Sequence, residues 1–585
     1  MPVPLLVRRV LLLLTTAVAA VVADIYDTRF DGVTWDNDNW ILKTTTLDQG
    51  HYQSRMSLAN GYLGINLAAV GPFFEVDTPV NGDAINGWPL FGQRLTFATI
   101  SGFWDLQPTT NGTNFEWLQE YGGESVISGV PHWAGLTVSA GGQTLNASVD
   151  PAQISNFTSG VDFKTGVMSW DYTWTPETGT SLGIGYTIFV HKLNVNQAAV
   201  QLTIAAESDL NVTVADVIHG DSAVRTDFAD KGSGNSTVWT AVRPNVINNV
   251  TAYIYSTLYG DGISTTQPIT DSPDIGRNQS SIAQSAEISI RGGSSTTITK
   301  YIGGASTDAF PDPQSVAREA SSSAAAAGFD SLLESHRAEW ASILTVDSVD
   351  DYSIPETGRL PDDPYIVEQQ IISVTNPFQL LQNTVGPNAI SAAGNNSMLN
   401  VNSISVGGLG SDSYGGLIFW DADIWMSSGL VVTFPEAAKA VDNYRTRLFP
   451  QAQKNIEMAF ISSQNATGKF SPEGAVYPWT SGRFGNCTGE IIFDCAVDGR
   501  EPILIDCTGT GPCFDYEYHI NGDIGLDLYN YYAVTGDEAT FRDEMFPIFD
   551  AIATFYSDLL SLNETSGRWV LTNATDPVRC QFLGT

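Results

Sequence analysis

Charged residues are scarce in this sequence, and basic residues are the scarcest. Asp, Glu, Lys and Arg make up 16% of its 585 residues, against about 25% in an average soluble domain. Lys and Arg number 27 and Asp and Glu 64, which gives a formal net charge of −37. Proteins bind nucleic acids and anionic membrane surfaces through Lys and Arg. We therefore expect no nucleic-acid partner and no attraction to an anionic membrane.

Sequence signatures of cofactor and metal sites are also missing. The chain has no phosphate-binding loop, no dinucleotide glycine fingerprint and no Gly-x-Ser-x-Gly nucleophile elbow. Its six His residues are scattered, without the spacing of metal ligands. The sequence therefore predicts neither a cofactor nor a metal ion. Aromatic residues are plentiful, and together with the few charges they favour a protein that handles a neutral polar ligand such as a sugar.

The N-terminus has the layout of a secretory signal peptide. Arg8 and Arg9 precede an apolar stretch over 10–22, and Val-Val-Ala at 21–23 supplies small residues for cleavage. The stretch is short for a membrane span, which needs about 20 apolar residues. We predict cleavage before Asp24, no stable membrane span afterwards, and a secreted protein (extracellular, cell wall or vacuole). An uncleaved N-terminal anchor is the alternative.

Two further features agree with export. Twelve Asn-x-Ser/Thr sequons predict a glycoprotein, with acceptors at Asn111, Asn146, Asn156, Asn211, Asn235, Asn249, Asn278, Asn395, Asn465, Asn486, Asn563 and Asn573. The five Cys residues are at positions 487, 495, 507, 513 and 580. In an exported chain such residues predict disulfides rather than a zinc site, and an odd number leaves one thiol over.

The periodicity of apolar residues divides the chain into two regions. Over 24–310 the period is mostly two, and the alternation is unbroken over 182–190, which predicts a β-sandwich. The apolar runs on either side of Gly292 and Gly293 predict a hairpin at these residues.

Beyond Pro311 the period becomes helical. We interpret 311–364 as a helical linker and 365–585 as a mainly α-helical region. Helix candidates in the second region are 365–383, 421–434, 436–449, 451–463, 521–534 and 538–560, the last with a possible break at Pro547.

Three clusters combine aromatic residues with carboxylates or other polar groups, and they lie at 419–425, 477–483 and 515–523. A Trp next to an Asp, as at Trp420 and Asp421, suits a pyranose: the indole covers the apolar ring face and the carboxylate accepts hydroxyl hydrogen bonds. The alternative is that the Trp side chains belong to the core while Asp421 or Asp423 caps a helix. The acidic residues of 515–523 have a similar alternative as solvated residues at a helix start.

Five longer stretches, in order and spread over most of the chain, make a family resemblance visible. They are SLANGYLGI (57–65), GFWD (102–105), GGLIFWDADIWM (415–426), YPWTSGR (477–483) and CFDYEYHINGDIGLDLYNYYAVTGD (513–537). In these stretches the chain resembles the fungal acid trehalases of glycoside hydrolase family sixty-five. The resemblance implies an N-terminal β-sandwich, a helical linker, an (α/α)6 catalytic barrel and a small C-terminal β domain. This agrees with the change of period described above.

The resemblance also implies a reaction and a set of site residues. The enzyme would hydrolyse the disaccharide α,α-trehalose to two glucose molecules with inversion of configuration. Trp420 and Asp421 match the pair that holds the non-reducing glucose in the family. Arg483, His519 and Asp523 are also expected around this pocket.

The chain departs from the family at its C-terminal end. In the family, the general acid is a Glu in Asp-Glu-Tyr or Asp-Glu-Phe directly after Thr-Asp-Pro. Here Thr-Asp-Pro at 575–577 is followed by Val578, and the chain ends at Thr585. We therefore expect a C-terminally truncated chain with an incomplete barrel and no catalytic acid. Protonation of the leaving oxygen needs a placed proton donor, so this chain is predicted to be inactive or nearly so.

A second departure is internal. Asn-Cys-Thr-Gly at 486–489 is echoed by Asp-Cys-Thr-Gly at 506–509, and deletion of 490–509 would restore the usual reading of the family. Our hypothesis is that 490–509 is an unspliced intron or an unusual surface insertion. The resemblance then leaves Cys487 and Cys513 as a plausible disulfide pair.

Other functions remain open from the sequence. One is a non-catalytic sugar-binding glycoprotein, a pseudoenzyme that keeps Trp420 and Asp421. Another is a disaccharide phosphorylase of the same family, although the segment that would bind phosphate is missing and a signal peptide fits poorly with phosphorolysis in the cytosol. A structural role in the cell wall is the weakest alternative.

Overall fold

The chain forms β-strands up to Ser306 and mainly helices from Pro313 onward. The structure, a computed structural model, describes residues 24–51, 55–77, 94–106, 125–462, 470–485 and 518–571. The β-rich N-terminal region and the helical C-terminal region predicted from the period of the apolar residues are both confirmed.

The strands of the described residues form four antiparallel sheets. Their bounds are β1 Ile25–Asp27, β2 Val33–Asp36, β3 Ile41–Thr44, β4 Met56–Ala59, β5 Leu63–Leu67, β6 Ala98–Ile100, β7 Leu136–Ala140, β8 Gln143–Leu145, β9 Ile154–Asp162, β10 Val167–Trp174, β11 Leu182–Val190, β12 Gln197–Ala206, β13 Leu210–Ile218, β14 Thr226–Gly234, β15 Thr237–Pro244, β16 Ala252–Gly260, β17 Gln267–Ile269, β18 Ile282–Ile290, β19 Ser294–Ser306, β20 Ser561–Asn563 and β21 Arg568–Val570. The largest sheet has eleven strands in the order β1-β2-β3-β9-β10-β11-β12-β19-β16-β15-β14. A five-stranded sheet, β17-β18-β13-β7-β8, packs against it, and β4-β5-β6 and β20-β21 form two small sheets.

Strand β11 shows why alternation predicted the buried face correctly. Leu182, Ile184, Tyr186 and Ile188 are at most 3% exposed, whereas Gly183, Gly185 and Thr187 between them are partly exposed. Successive side chains of a strand point to opposite faces, so every second residue enters the core between the sheets.

The predicted hairpin around Gly292 and Gly293 is wrong. Strand β18 pairs with β13 and β17, while β19 pairs with β12 and β16. The glycines therefore carry the chain from one sheet to the other, and Gly293 adopts a φ of 74°. Both strands still bury alternate residues, because the two sheets face the same core.

The helices are α1 Pro313–Ala327, α2 Phe329–Ile343, α3 Pro364–Leu381, α4 Pro387–Ala392, α5 Ser428–Leu430, α6 Pro435–Ser462, α7 His519–Thr535, α8 Glu538–Thr540 and α9 Phe546–Leu559. Two π-helical turns, Ala422–Ser427 and Phe541–Met545, directly precede α5 and α9. Pro547 lies in the first turn of α9, and the possible break there is not observed: the backbone stays helical from α8 through the π-helical turn into α9, with a local change of helix type before Pro547. None of the helices in the described ranges is long and apolar enough to cross a membrane.

Two helix predictions differ from the structure. The candidate 421–434 is a π-helical turn followed by the short α5, and it ends at Leu430. Residues just before a proline avoid the α conformation, and Pro435 begins the next helix. The two candidates 436–449 and 451–463 are one helix, α6, which continues through Pro450.

The β-region supports the loop that leads to Trp420. Gly61 has a φ of 92°, and a Cβ atom there would lie 2.3 Å from the backbone carbon of Thr384. Trp104 donates a hydrogen bond from Nε1 to the carbonyl oxygen of Gly416, over 3.0 Å. The motifs at 57–65 and 102–105 therefore make close contacts with the segment before the first aromatic cluster.

Candidate functional site

Three clusters that are distant in the chain meet in the structure. The rings of Trp420 and His519 pack edge to face, with centroids 5.7 Å apart. Ile418 and Ser481 exchange two backbone hydrogen bonds of 2.8 and 3.0 Å. The amide of Tyr477 donates to Oδ1 of Asn521 over 2.8 Å. These contacts bring the clusters at 419–425 and 477–483 together with the start of helix α7.

Trp420 is one of several aromatic side chains at this meeting point. It is partly buried, and its ring lies 5.6 Å from that of Trp425, which is 61% exposed. Phe419 is buried and packs edge to face on Trp479 at 4.9 Å. Partly exposed indole rings beside polar groups are suited to the apolar face of a sugar ring.

Asp421 is partly buried directly after Trp420, before the π-helical turn Ala422–Ser427. Its side chain makes no capping hydrogen bond to this turn, so the capping interpretation does not hold for Asp421. Burial raises the pKa of its carboxyl group above the usual value.

Asp423 has a different role from its neighbour Asp421. It forms a two-pronged ion pair with Arg445 of α6, with Nε–Oδ1 and Nη2–Oδ2 distances of 3.0 and 2.6 Å. Both side chains are at most 2% exposed. Arg445 also donates to the carbonyl oxygen of Phe419 over 3.4 Å and to Oγ of Ser481 over 3.5 Å. The alternative that Asp423 caps a helix is therefore wrong: it pairs with a cation that holds two clusters together.

Sequence reasoning did not single out Arg445. A carboxylate within an apolar segment such as 417–426 predicts that a buried cation pairs with it. The sequence does not identify which Arg or Lys residue is this cation, because the pairing depends on how α6 packs.

Helix α7 carries the two remaining polar residues of the group. His519 is its first residue, and Nδ1 of His519 lies 2.6 Å from Oδ2 of Asp523. Both side chains are about one-fifth exposed, at 22 and 20%. Residues four apart lie on one face of a helix, so Asp523 can fix the ring orientation of His519 next to Trp420.

Arg483 lies among other contacts. Its guanidinium forms two bonds of 3.0 and 2.5 Å to the carboxylate of Asp308 and donates to the carbonyl oxygen of Gly102 over 3.3 Å. It lines a cavity of about 280 Å³ between the β-region and the helices, together with Trp104 and Arg447. The structure thus packs Trp420, the chain neighbour of Asp421, against His519 and its partner Asp523, and it gives Arg483 a partner in Asp308.

Several predictions concern residues outside the described ranges. These are the disulfide pair Cys487 and Cys513, the insertion 490–509, the segment after Pro577, and the sequons at Asn111, Asn465, Asn486 and Asn573. Of the other eight sequon residues, Asn146 is partly buried and seven are exposed, as a glycan requires: Asn156, Asn211, Asn235, Asn249, Asn278, Asn395 and Asn563. Within the described ranges, no group of three His, Cys, Asp or Glu side chains is arranged to hold a metal ion.

Comparison with known families identifies the family to which this fold and site belong. The N-terminal domain model of glycosyl hydrolase family 65 matches residues 42–343, and the central catalytic domain model of the same family matches residues 388–579. The chain belongs to glycosyl hydrolase family 65.

Curated relatives and a solved structure agree with this assignment. The chain is 52% identical over 557 residues to the acid trehalase of Emericella nidulans, covering 94% of this chain and 51% of that protein. It is 52% identical to the cell wall acid trehalase of Arthroderma benhamiae, covering 94% and 50%. The chain thus spans about half the length of these relatives. The structure of a candidate kojibiose phosphorylase from the human microbiome superposes with a TM-score of 0.66 at 13% identity, covering 92% of this chain and 62% of that one. The superposition supports the fold.

Proposed function

We propose that this chain carries the sugar-binding part of a secreted α,α-trehalase, an enzyme that hydrolyses trehalose to two glucose molecules with inversion. The observation that carries the proposal is the packing of Trp420, which precedes Asp421, against the His519–Asp523 pair in a chain of family 65. Relatives that are 52% identical bear the name acid trehalase, which supports trehalose as the substrate.

The geometry suggests a role for each residue. The indole of Trp420 would cover the apolar face of the non-reducing glucose, and the carboxylate of Asp421 would accept hydrogen bonds from its hydroxyl groups. His519, held by Asp523, would supply a further polar contact at the edge of the ring. Arg483 remains a predicted sugar contact, although a sugar would have to share its guanidinium with Asp308.

Binding alone does not break the glycosidic bond. Inverting hydrolysis needs a carboxylic acid that protonates the leaving oxygen and a base that activates water on the opposite face of the sugar. In the proposed site the residues named above would hold and orient one glucose unit, and the general acid would be a further carboxyl group.

The remaining predictions complete the proposal. Helices α3 to α9 would form part of an (α/α)6 barrel, and 24–310 and 311–364 would be its β-sandwich and linker. Cys487 and Cys513 would form a disulfide, and the exposed sequon residues would carry glycans in a secreted protein (extracellular, cell wall or vacuole). The names of relatives from the cell wall and periplasm support this location.

The decisive experiment is calorimetric titration of the secreted chain with trehalose, together with an assay for glucose. Trp420→Ala is expected to weaken binding about five- to thirtyfold, because an aromatic contact is worth about 1 to 2 kcal/mol. Trp569→Ala is the matched control, since Trp569 is 64% exposed on the hairpin β20-β21. Failure of the unmodified chain to bind trehalose would refute the proposal.

The same assay separates the alternatives. Binding without any glucose release, in a chain extended to the length of its relatives, would favour a non-catalytic sugar-binding glycoprotein. Release of glucose 1-phosphate in the presence of phosphate would identify a phosphorylase instead.

A further inference from the structure

Three buried aspartates and one buried arginine lie close together next to the candidate site, on the first π-helical turn, α6 and α7. Asp423, Asp442 and Asp527 are at most 2% exposed, and Arg445 is 1% exposed. The guanidinium of Arg445 is occupied by the two-pronged pair with Asp423. If all three carboxyl groups were ionised, the buried residues of the cluster would carry two more negative charges than positive ones, which is very costly away from water.

Three of the four carboxylate oxygens of Asp442 and Asp527 have no donor among the described residues. Both carboxylate oxygens of Asp442 and Oδ2 of Asp527 are buried without a hydrogen-bond partner. The two carboxyl groups are nevertheless close enough to bond to each other through a proton. One proton between them removes a charge and supplies the missing donor.

The positions of the two residues connect them with the site. Asp442 lies on α6, one turn before Arg445, and Asp527 lies on α7, one turn after Asp523. Residues three or four apart share a helix face. The contact between Asp442 and Asp527 therefore joins the helix that anchors Asp423 to the helix that carries His519.

We propose that a single proton shared by Asp442 and Asp527 locks α7 onto α6 at acidic pH and so positions His519 and Asp523 next to Trp420. Both aspartates are positioning residues rather than catalytic ones. The lock follows from the geometry of the cluster, whereas its effect on sugar binding rests on the proposed function.

The direction of the pH effect follows from the groups around the pair. Facing it are Asp423 and Ser427 of the first π-helical turn, Lys439 and Arg445 of α6, and Tyr531 of α7. Burial raises the pKa of Asp442 to about 7 and that of Asp527 well above its usual value. Both groups bind protons more tightly in the folded chain than in the unfolded chain. The stabilisation is therefore complete in acid and is lost as the pH rises from about 4 through the folded pKa.

The test compares the unfolding midpoint in denaturant at about pH 5 and at about pH 8. In Asp527→Asn the amide permanently replaces the protonated carboxyl group and can still donate to Asp442. We expect this variant to be more stable than the unmodified chain at the higher pH. The difference in its unfolding midpoint between the two pH values should therefore be smaller than in the unmodified chain. Asp442→Asn should behave in the same way, and Asp550→Asn, an exposed change on α9, should leave the difference unchanged. Equal destabilisation of Asp527→Asn at both pH values would overturn the proposal.

A second measurement does not depend on the variants. The infrared spectrum of the unmodified chain near neutral pH should contain the carbonyl band of a protonated, buried carboxylic acid, and the absence of this band would overturn the lock.

Trehalose affinity, measured between about pH 5 and about pH 8, should fall as the pH rises and should fall less in Asp527→Asn. If the infrared and stability results hold but trehalose does not bind at any pH, the lock stands and the proposed function fails.

Discussion

At the scale of single residues, the least predictable feature is the pairing of buried charges. Lys300 of β19 and Asp216 of β13 are both fully buried and form an ion pair of 2.7 Å between the two main sheets. Ser256 and Gln284 donate to the Asp216 carboxylate, and Lys300 also donates to two backbone carbonyls. The alternating pattern of β19 predicts that Lys300 faces inward, but the identity of its partner depends on how the second sheet is placed.

Replacement of one partner of this pair should be strongly destabilising. Lys300→Met leaves the Asp216 carboxylate buried without a cation, so we expect a loss of about 3 to 5 kcal/mol in the free energy of unfolding. Denaturant-induced unfolding measures this loss, with the exposed Lys43→Met on β3 as the control. A loss of similar size in both variants would contradict the expected role of the pair.

A backbone position in the motif 57–65 gives a second residue-scale prediction. In Gly61→Ala, a Cβ atom would lie 2.3 Å from the backbone of Thr384, and the φ of 92° adds strain. Gly142→Ala is the matched control, because Gly142 has a φ of 81° with nothing within 4 Å of the added Cβ. We expect the control to cost about 1 kcal/mol and Gly61→Ala about 1 to 3 kcal/mol more. Equal costs in thermal or denaturant unfolding would show that the contact with Thr384 does not matter.

At the scale of elements, the period of the apolar residues predicted which faces are buried but not which strands pair. Alternation identified β11 and β12, a helical period identified α3 and α7 close to their observed bounds, and the candidate 538–560 spans α8, the second π-helical turn and α9. The hairpin at Gly292 was wrong because two strands that face one core from opposite sheets show the same alternation as two paired strands. The same holds for the candidate site. The sequence pattern predicted Trp420 and Asp421 as sugar contacts, whereas the roles of Arg445 and Asp442 depend on how the helices pack.

Helix α3 offers a test of local sequence signals. The side chain of Asp363 accepts a hydrogen bond of 2.9 Å from the amide of Tyr365, and Pro364 occupies the first helical position. Asp363→Ala removes this cap and should cost about 1 kcal/mol. The neighbouring Asp362→Ala is the control, because Asp362 is also exposed but lies outside the cap position. If the two variants unfold at the same denaturant concentration, the cap contributes nothing.

At the scale of the whole molecule, buried titratable groups set opposite limits on the pH range of stability. Burial lowers the pKa of His132 to about 3 and the pKa values of His191 and His219 to about 4. It also lowers the pKa of His336 well below its usual value. The shared proton of Asp442 and Asp527 stabilises the chain in acid, whereas these His residues stabilise it where they are neutral. Stability should therefore be greatest between the two limits, with acid and alkaline losses that have separate origins.

The acid limit can be assigned to individual His residues. A His whose folded pKa is depressed binds a proton more readily in the unfolded chain, so stability is lost as the pH falls below about 6.5 towards the folded pKa, by up to about 1.4 kcal/mol per pH unit for each residue. His336 accepts a hydrogen bond of 3.0 Å from the amide of Lys192 at Nδ1, and Nε2 lies 3.3 Å from the carbonyl oxygen of Gly166. Glutamine can make both hydrogen bonds and does not titrate. His336→Gln should therefore reduce the slope of the unfolding free energy against pH between about pH 6 and about pH 4, by up to about 1.4 kcal/mol per pH unit. The slope is independent of any constant packing loss in the variant. An unaltered slope in His336→Gln would mean that the neutral state of this residue does not limit stability in acid.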